Sequence, residues 1–460
     1  MAETLAHLAT HYLDKIGWGK YQSYVFKQCF LSYMNFQYLT MSIGYYGSDL
    51  EKEWGISNKE KGLMGTMFQL GCFMGSYLLG ISSDHKGRSY TLKRSSLFLM
   101  ISCFIVIFST NYITILTALF LIGIGGIGEM VVPLVIFKEF CPTQKLNKMT
   151  RLNLGFPIGG VIFCLLAIWI EFIDTPNIHN WKFMSIILFF HCLVTWILKI
   201  DMDESPGYLI VHRHTSKAEE ILNKVKRING NTDELIQINL QNEEEVSVNV
   251  ADHKTQSRIK KIFSKEYIKT TLLLLVIYFA MLFGTFSIVL FMPTYLKQFS
   301  IIPRWIIIAI QNMAGIPCLY VAPFCVNSKL GRKYTMIIGQ IISCVTIIFF
   351  AFITETILII IATSIMFGIG FLTYAALFLI AAESYPTEVR NTAQGLFFAA
   401  SRVGSVSAPF IGGVILDWKN GQEISLVLFG LFFLVSAACS LYLKETRKEN
   451  EKEVLIVIEE

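Results

Sequence analysis

The stretch Ala382–Pro409, AESYPTEVRNTAQGLFFAASRVGSVSAP, begins with a charged, proline-broken segment carrying Glu383, Pro386, Glu388 and Arg390. It then runs into an apolar helix with a single Arg402 near its middle. The first part has a near copy earlier in the chain, Glu139-Phe-Cys-Pro142-Thr143, 244 positions before Glu383. Gly87-Arg88 and Gly331-Arg332 are separated by the same 244, as are Gly126 and Gly370. Three matches at one offset describe a duplicated chain. Arg402 falls outside the repeat, because its counterpart is the apolar Ile158.

Composition sets the solvent. Of 460 residues 53% are hydrophobic and only 16% charged, at a mean hydropathy of +0.53, too apolar for a soluble chain of this length. The apolar residues come in long runs, and a bilayer requires about 20 residues per spanning helix. The net charge of +5 is spread over loops, which leaves nucleic-acid binding without support. Ten Cys lie in or beside apolar runs with no CxxC pair. They read as packing residues, not as disulfides or metal ligands.

Twelve spans are expected: Ser23–Gly47, Gly62–Ser83, Thr91–Ser109, Tyr112–Phe137, Leu152–Phe172, Trp181–Ile200, Thr270–Tyr295, Pro303–Val326, Tyr334–Ile353, Ile357–Ala382, Thr392–Leu416 and Ile424–Leu443. The first is the least apolar, and the eighth should be broken at Pro317 and Pro323. Loops after the second, fourth, eighth and tenth spans hold the excess of Lys and Arg, so that side is expected to be cytoplasmic. The opening residues lack a signal-peptide core. Both termini are then cytoplasmic. Residues 1–200 form a six-helix bundle, 201–269 a cytoplasmic linker, 270–444 a second bundle and 445–460 a tail. Within the linker, Ser216–Ile228 puts Ala218, Ile221, Leu222 and Val225 on one helical face and should lie on the cytoplasmic surface. The basic run Arg258–Lys269 reads as an anchor for anionic lipid. Twelve helices in two parallel-related halves make an all-α membrane architecture, for which a midplane substrate site is expected.

The loop Gly80-Ile-Ser-Ser-Asp84-His85-Lys86-Gly87-Arg88 uses a glycine turn to aim Arg88 along the membrane face toward Glu139. Arg332 stands in the same relation to Glu383, with Arg390 nearby. Arginine–carboxylate pairs are geometrically demanding, so Asp84, Arg88, Glu139, Arg332, Glu383 and Arg390 are expected to form a cytoplasmic gate. The plainer alternative is a static ion pair at the membrane edge.

These residues resemble the signature of the major facilitator superfamily. Gly17-Trp-Gly19-Lys-Tyr21-Gln22 resembles the motif ahead of the first helix in synaptic-vesicle-2-like transporters. Glu204-Ser205-Pro206-Gly207-Tyr208-Leu209 resembles a segment shared by sugar porters, organic ion transporters and the vesicle-protein branch. Glu445-Thr446-Arg447 belongs to the same pattern. The resemblance covers nearly the whole chain. It departs from the family at His85 and Gly207, where arginine is usual, at Ser328 in place of an Asp, and at Leu146 opposite Arg390. The two gates should therefore differ in strength.

A charge inside the membrane costs several kcal/mol and needs a reason. Arg402 reads as an anchor for an anionic substrate, or else as half of a structural pair. In the organic ion transporters this position resembles the one that separates anion from cation carriers. Gly315, where cation carriers often have an acid, points the same way. Glu129, placed in the upper half of the fourth helix, is the candidate for a coupling proton; alternatively it pairs with Arg402 or reaches outer water. Asn35, Gln37, Gln69, Gln311, Asn312, Tyr278 and Tyr374 are candidate substrate contacts, with Phe283 and Phe398 as further aromatics. His191 reads as a packed histidine. Glycines around Gly71, Gly75 and Gly123 read as close-packing positions. A C-terminal Glu451…Leu455-Ile456 fits a sorting pattern.

No nucleotide loop, HExxH or triad is visible, so no enzyme activity and no cofactor or metal is expected. The reading is a monomeric alternating-access carrier of a small organic anion in the plasma membrane or a vesicle membrane, as a symporter or a uniporter. Coupling to a proton or another ion is open. A hexose porter is the alternative, although Phe279-Ala-Met-Leu-Phe-Gly284 lacks the glutamine pair of those carriers. A non-transporting sensor or vesicle partner-binding protein is the alternative of another class.

Overall fold

The computed structural model describes residues 2–173, 179–230, 235–236, 238, 258–298 and 302–447. Twelve long helices follow in order: α1 Lys20–Trp54, α2 Asn58–Lys86, α3 Arg88–Ile107, α4 Tyr112–Phe140, α5 Gly155–Ile173, α6 Asn180–Lys199, α7 Ile268–Tyr295, α8 Arg304–Asn327, α9 Gly331–Phe352, α10 Thr356–Glu383, α11 Thr387–Leu416 and α12 Gly421–Leu441. Among the described residues eleven helices are long and apolar enough to cross a membrane. The exception is α1, which carries Lys20, Gln22, Lys27, Gln28, Asn35 and Gln37. At 35 residues it is about 52 Å long, well beyond the roughly 30 Å hydrocarbon core. Large apolar side chains are bared along the helices, Phe172 at 78% and Phe324 at 77%. Such surfaces suit lipid and are costly in water.

Local chemistry sets the helix ends. Gly55, at φ 66°, closes α1 in the left-handed region. Ser57 and Glu60 then open α2 as a capping box, with Ser57 N donating to Glu60 Oε2 at 2.7 Å and Glu60 N to Ser57 Oγ at 3.3 Å. The break expected in the eighth span does not occur. Helix α8 runs through both Pro317 and Pro323. Each proline removes one N–H, and an apolar helix packed among others keeps its remaining bonds.

The chain forms two compact units: Met1–Ser42, Leu70–Phe163 and Ile170–Glu245 in the first, and Ile43–Gln69, Cys164–Trp169 and Val246–Glu460 in the second. In the first, α3 lies against α4 and α6. Gly71 of α2 sits on the Phe120 carbonyl of α4, where a Cβ would overlap it. One end of this unit is covered by three short helices, Ala2–Ile16, Pro206–Val211 and Thr215–Ile228. Their apolar faces share a core in which Ala9, Leu13, Ala218, Leu222 and Val225 meet Phe137 and Phe140. The amphipathic helix of the linker therefore spends its apolar face on protein. In the second unit α7 lies against α11 and α12, α9 against α10 and α12, and α8 against α10. Its core includes Tyr278, Met281, Leu377, Ile380, Tyr385 and Phe397. All ten cysteines are free and seven are buried. The sorting pattern near Leu455 lies outside the described residues.

Candidate functional site

Two matching edge sites are built from the helix ends. Gly87, at φ 104°, turns the chain into α3. The Glu204 carboxylate accepts the N–H groups of Arg88, Ser89 and Tyr90 at 2.8, 3.0 and 3.2 Å. A negative charge suits a helix N-terminus, and a Cβ on Gly87 would collide with it. Arg88 is thereby aimed: Nε donates to Glu139 Oε1 at 3.2 Å and Nη1 to the Ser83 carbonyl at 2.8 Å. Its Nη1 also lies 3.5 Å from Asp84, which is 77% exposed. The Tyr208 ring stands 5.2 Å from its guanidinium.

The second unit repeats the plan. Gly331 has φ 72°, and Glu445 accepts from the N–H groups of Arg332 and Lys333, each at 3.0 Å. Arg332 Nη2 donates to Glu383 Oε1 at 3.1 Å. Thr446 Oγ1 donates to the other Glu383 oxygen, and Arg447 to the Ser328 carbonyl. Arg390 donates instead to the Tyr385 carbonyl at 3.4 Å. Glu204 and Glu445 are functional positions that the sequence motifs contain but to which no role was assigned. The available signal was a glutamate following the last helix of each half, before Ser-Pro and Thr-Arg.

The motif Gly17–Gln22 docks the linker. Asn229 Nδ2 donates to Gln22 Oε1 at 2.8 Å, and Tyr21 N donates to Asn229 Oδ1 at 3.1 Å. The Tyr21 hydroxyl donates to Asp203 at 2.9 Å, and Lys224 pairs with the same carboxylate at 2.7 Å. Burial, with the Asp203 charge beside it, pushes the Tyr21 phenol up.

Inside the first unit Glu129 is fully buried and paired with the fully buried Lys199. Ser96 Oγ donates to Glu129 Oε1, while Asn35 Nδ2 lies 3.4 Å from Glu129 Oε2, the oxygen that Lys199 bonds, and donates to Thr195 Oγ1 at 2.9 Å. This corrects three expectations. Glu129 pairs with Lys199, not with Arg402; it does not reach water; and it lies nearer the Phe140 end of α4 than the Tyr112 end. Asn35 is an internal member of this network. Lys199 was missed because it occupies the last turn of α6, at the end of the expected span and beside the polar 201–205.

In the second unit Arg402 is buried, 8% exposed, in the middle of α11. Gln311 Nε2 donates to Thr363 at 2.8 Å and ties α8 to α10. Asn312 Nδ2 bonds its own helix at Ile308 O, 2.8 Å away. Gln69 Oε1, Asn312 Oδ1 and the Tyr278 hydroxyl are buried without a hydrogen-bond partner among the described residues. The Tyr278 ring stacks on Phe397 at 5.4 Å and meets Phe398 edge-on. Phe283 packs on Phe432. Tyr374 shares a 2.9 Å bond with Thr285. Of the remaining candidates, Gln37 is half-buried in the first unit, where His191 packs against Tyr38 at 4.6 Å.

Long apolar helices, a duplicated arginine–carboxylate edge and charges held within the helices define a membrane carrier. The chain belongs to the sugar (and other) transporter family of the major facilitator superfamily, whose model matches residues 19–454. It is 22% identical to the niacin transporter NiaP of Acinetobacter baylyi, over 88% of this chain and 89% of that one. It is 26% identical to human organic anion transporter 3, over 88% and 73%. It is 25% identical to the rat synaptic vesicle 2-related protein, over 94% and 79%. Its fold matches the D-xylose-proton symporter with a TM-score of 0.73 at 16% identity, covering 93% of this chain and 99% of that one. The protein is an integral membrane transporter with twelve helices in two six-helix halves.

Proposed function

We propose that this transporter carries a small organic anion by alternating access and that Arg402 binds its charge. The observation that carries the reading is one guanidinium buried in the apolar α11. Placing an arginine there costs roughly 2.5–3.5 kcal/mol, and its planar fork matches a carboxylate. Relatives named for organic anions and for niacin support it. Gln69, Asn312 and Tyr278 offer unengaged acceptors for a substrate that also carries N–H or O–H groups. The bundles 1–200 and 270–444 are the moving parts, 201–269 and 445–460 stay with the termini on the cytoplasmic side, and the Arg88 and Arg332 sites loosen during the cycle. Protonating Glu129 alone would strand the Lys199 charge in the interior. If Glu129 couples to a proton, the Glu129–Lys199 pair must act as one unit.

The test is a thermal-shift screen of the purified protein against nicotinate, other carboxylates, organic cations and hexoses. A ligand at 100 times its Kd stabilises the native state by about 2.7 kcal/mol. Carboxylates should raise the melting temperature of the parent, partly that of Arg402→Lys, and not that of Arg402→Gln. A response to hexoses alone would favour the sugar-porter reading, for which the family model and the xylose-symporter fold speak. No response to any solute, with no flux in liposomes, would favour a sensor.

A further inference from the structure

Residues 43–69 hold the end of α1 and the first part of α2, and they pack within the second unit. Glu51 of α1 receives Lys61 Nζ from α2 and Lys297 Nζ from beyond α7, each at 3.0 Å. Lys61 is only 4% exposed and also donates to Asn58 Oδ1 at 3.1 Å. Asp417, which ends α11, accepts the N–H groups of Asn58 and Lys59 at 3.2 and 3.1 Å. Beside these bonds the backbones nearly touch. A Cβ on Gly62 would overlap the Pro409 carbonyl, and one on Gly413 would overlap that of Asn58. Thr66 Oγ1 donates to Val406 O at 2.9 Å. Since α2 runs from Asn58 to Lys86, this cluster lies at the end remote from Gly87.

We propose that Glu51, Lys61, Lys297 and Asp417 form a releasable latch that holds this remote end shut, and that the carrier opens there when the latch breaks. The inference rests on the alternating-access reading. The bonds suit release. Glu51 and Lys297 are 30% and 52% exposed, so water can replace the partner of either at little cost. Gly62 of α2 and Gly413 of α11 bring the two helices together backbone against backbone. Lys61 makes the latch sensitive to charge: while shut it is buried and depends on Glu51, and once open it is hydrated. Bonds from Lys297 and Lys61 outweigh burial and hold the Glu51 carboxyl below its usual range, so it stays ionised near neutral pH.

The test is the rate at which a bulky, charged maleimide labels Thr66→Cys in the purified full-length protein in detergent, read from the mass of its peptide. Buried Cys103, between α3 and α6, serves as an internal control for unfolding. Adding Glu51→Gln to Thr66→Cys should raise labelling at position 66 about tenfold, because Lys61 is left buried without its carboxylate in the shut form. Asp417→Asn should raise it less, and Lys297→Gln about twofold, as for an exposed pair. Glu51→Gln with Lys61→Met should return the rate toward that of Thr66→Cys alone. Unchanged labelling in Glu51→Gln, or a parallel rise at Cys103, would overturn the latch. No substrate enters the measurement, so its failure is distinct from a failure of the Arg402 assignment.

Discussion

In the first half of the chain position 129 is a carboxylate paired with Lys199; 244 residues on, the second half has Thr373, whose hydroxyl donates to the Ile369 carbonyl of its own helix at 2.9 Å. Ser96, which serves Glu129, corresponds to Gln340, whose amide reaches Ser436 at 2.7 Å and Ser440 at 3.2 Å. Lys199 corresponds to Leu443. The edges, in contrast, match in their three central groups: Gly87 with Gly331, Arg88 with Arg332, Glu139 with Glu383. The difference teaches where duplication holds. An arginine–carboxylate site at the helix ends keeps contact with water and costs little, so both copies persist. A charge pair in the interior must be satisfied completely or it is a liability. The fold evidently does not require one, because the second half fills the same place with neutral amide and hydroxyl groups.

The strongest way to break this comparison is to unbalance the interior of each half. Lys199→Met leaves a buried carboxylate without its cation and should cost about 3–5 kcal/mol, whereas Glu129→Leu combined with Lys199→Met should recover most of that. Gln340→Leu in the other half removes neutral hydrogen bonds and should cost about 1–2 kcal/mol. Thermal unfolding of the purified variants measures all three. Equal losses for Lys199→Met and Gln340→Leu would mean that the ion pair carries no special weight.

How much of this was legible beforehand depended on distance along the chain. Apolar runs located the helices because lipid imposes length and composition on each span separately. The offset of 244 located Arg88, Glu139, Arg332 and Glu383 because both copies persist. Lys199 was hidden because it lies 70 residues from Glu129, and only the packing of α3 against α4 and α6 brings them together. The role of Glu204 was hidden for the same reason, as its bond to Arg88 N spans 116 residues. The first helix, expected over Ser23–Gly47, runs from Lys20 to Trp54, since a helix is free to continue in water where lipid composition no longer marks it. The prolines of α8 were over-read as a break. Arg402 was visible at once; its cargo is a matter of experiment.

A finer test compares the two glutamates that seat the edge arginines. Glu204 accepts four backbone N–H groups, from Arg88, Ser89, Tyr90 and Ser205. Glu445 accepts three, from Arg332, Lys333 and Arg447. Hydrogen bonds to a charged group are worth about 1.5–3 kcal/mol each when desolvated, and these sites are only partly buried. Glu204→Ala should therefore destabilise by about 2 kcal/mol and Glu445→Ala by about 1 kcal/mol less. Chemical denaturation of the two variants, side by side, decides the order. The reverse order would make the second edge the better-seated of the two.

The smallest effect belongs to Asp84, and it decides whether the two edge sites differ in strength. Asp84 has no acidic counterpart, since Ser328 stands there, and in the second half Arg447 bonds the Ser328 carbonyl instead. By sequence alone the first edge site keeps an acid that the second has lost. By geometry Asp84 is 77% exposed and 3.5 Å from Arg88, which is already bonded to Glu139 and the Ser83 carbonyl. An exposed pair of this kind contributes less than about 0.5 kcal/mol. Asp84→Asn should leave the melting temperature within error, while Glu139→Gln, which removes the half-buried partner, should lower it measurably. If Asp84→Asn proves as damaging as Glu139→Gln, the exposed carboxylate is a working part of the first edge site, and the two halves then differ at their edges as well as in their interiors.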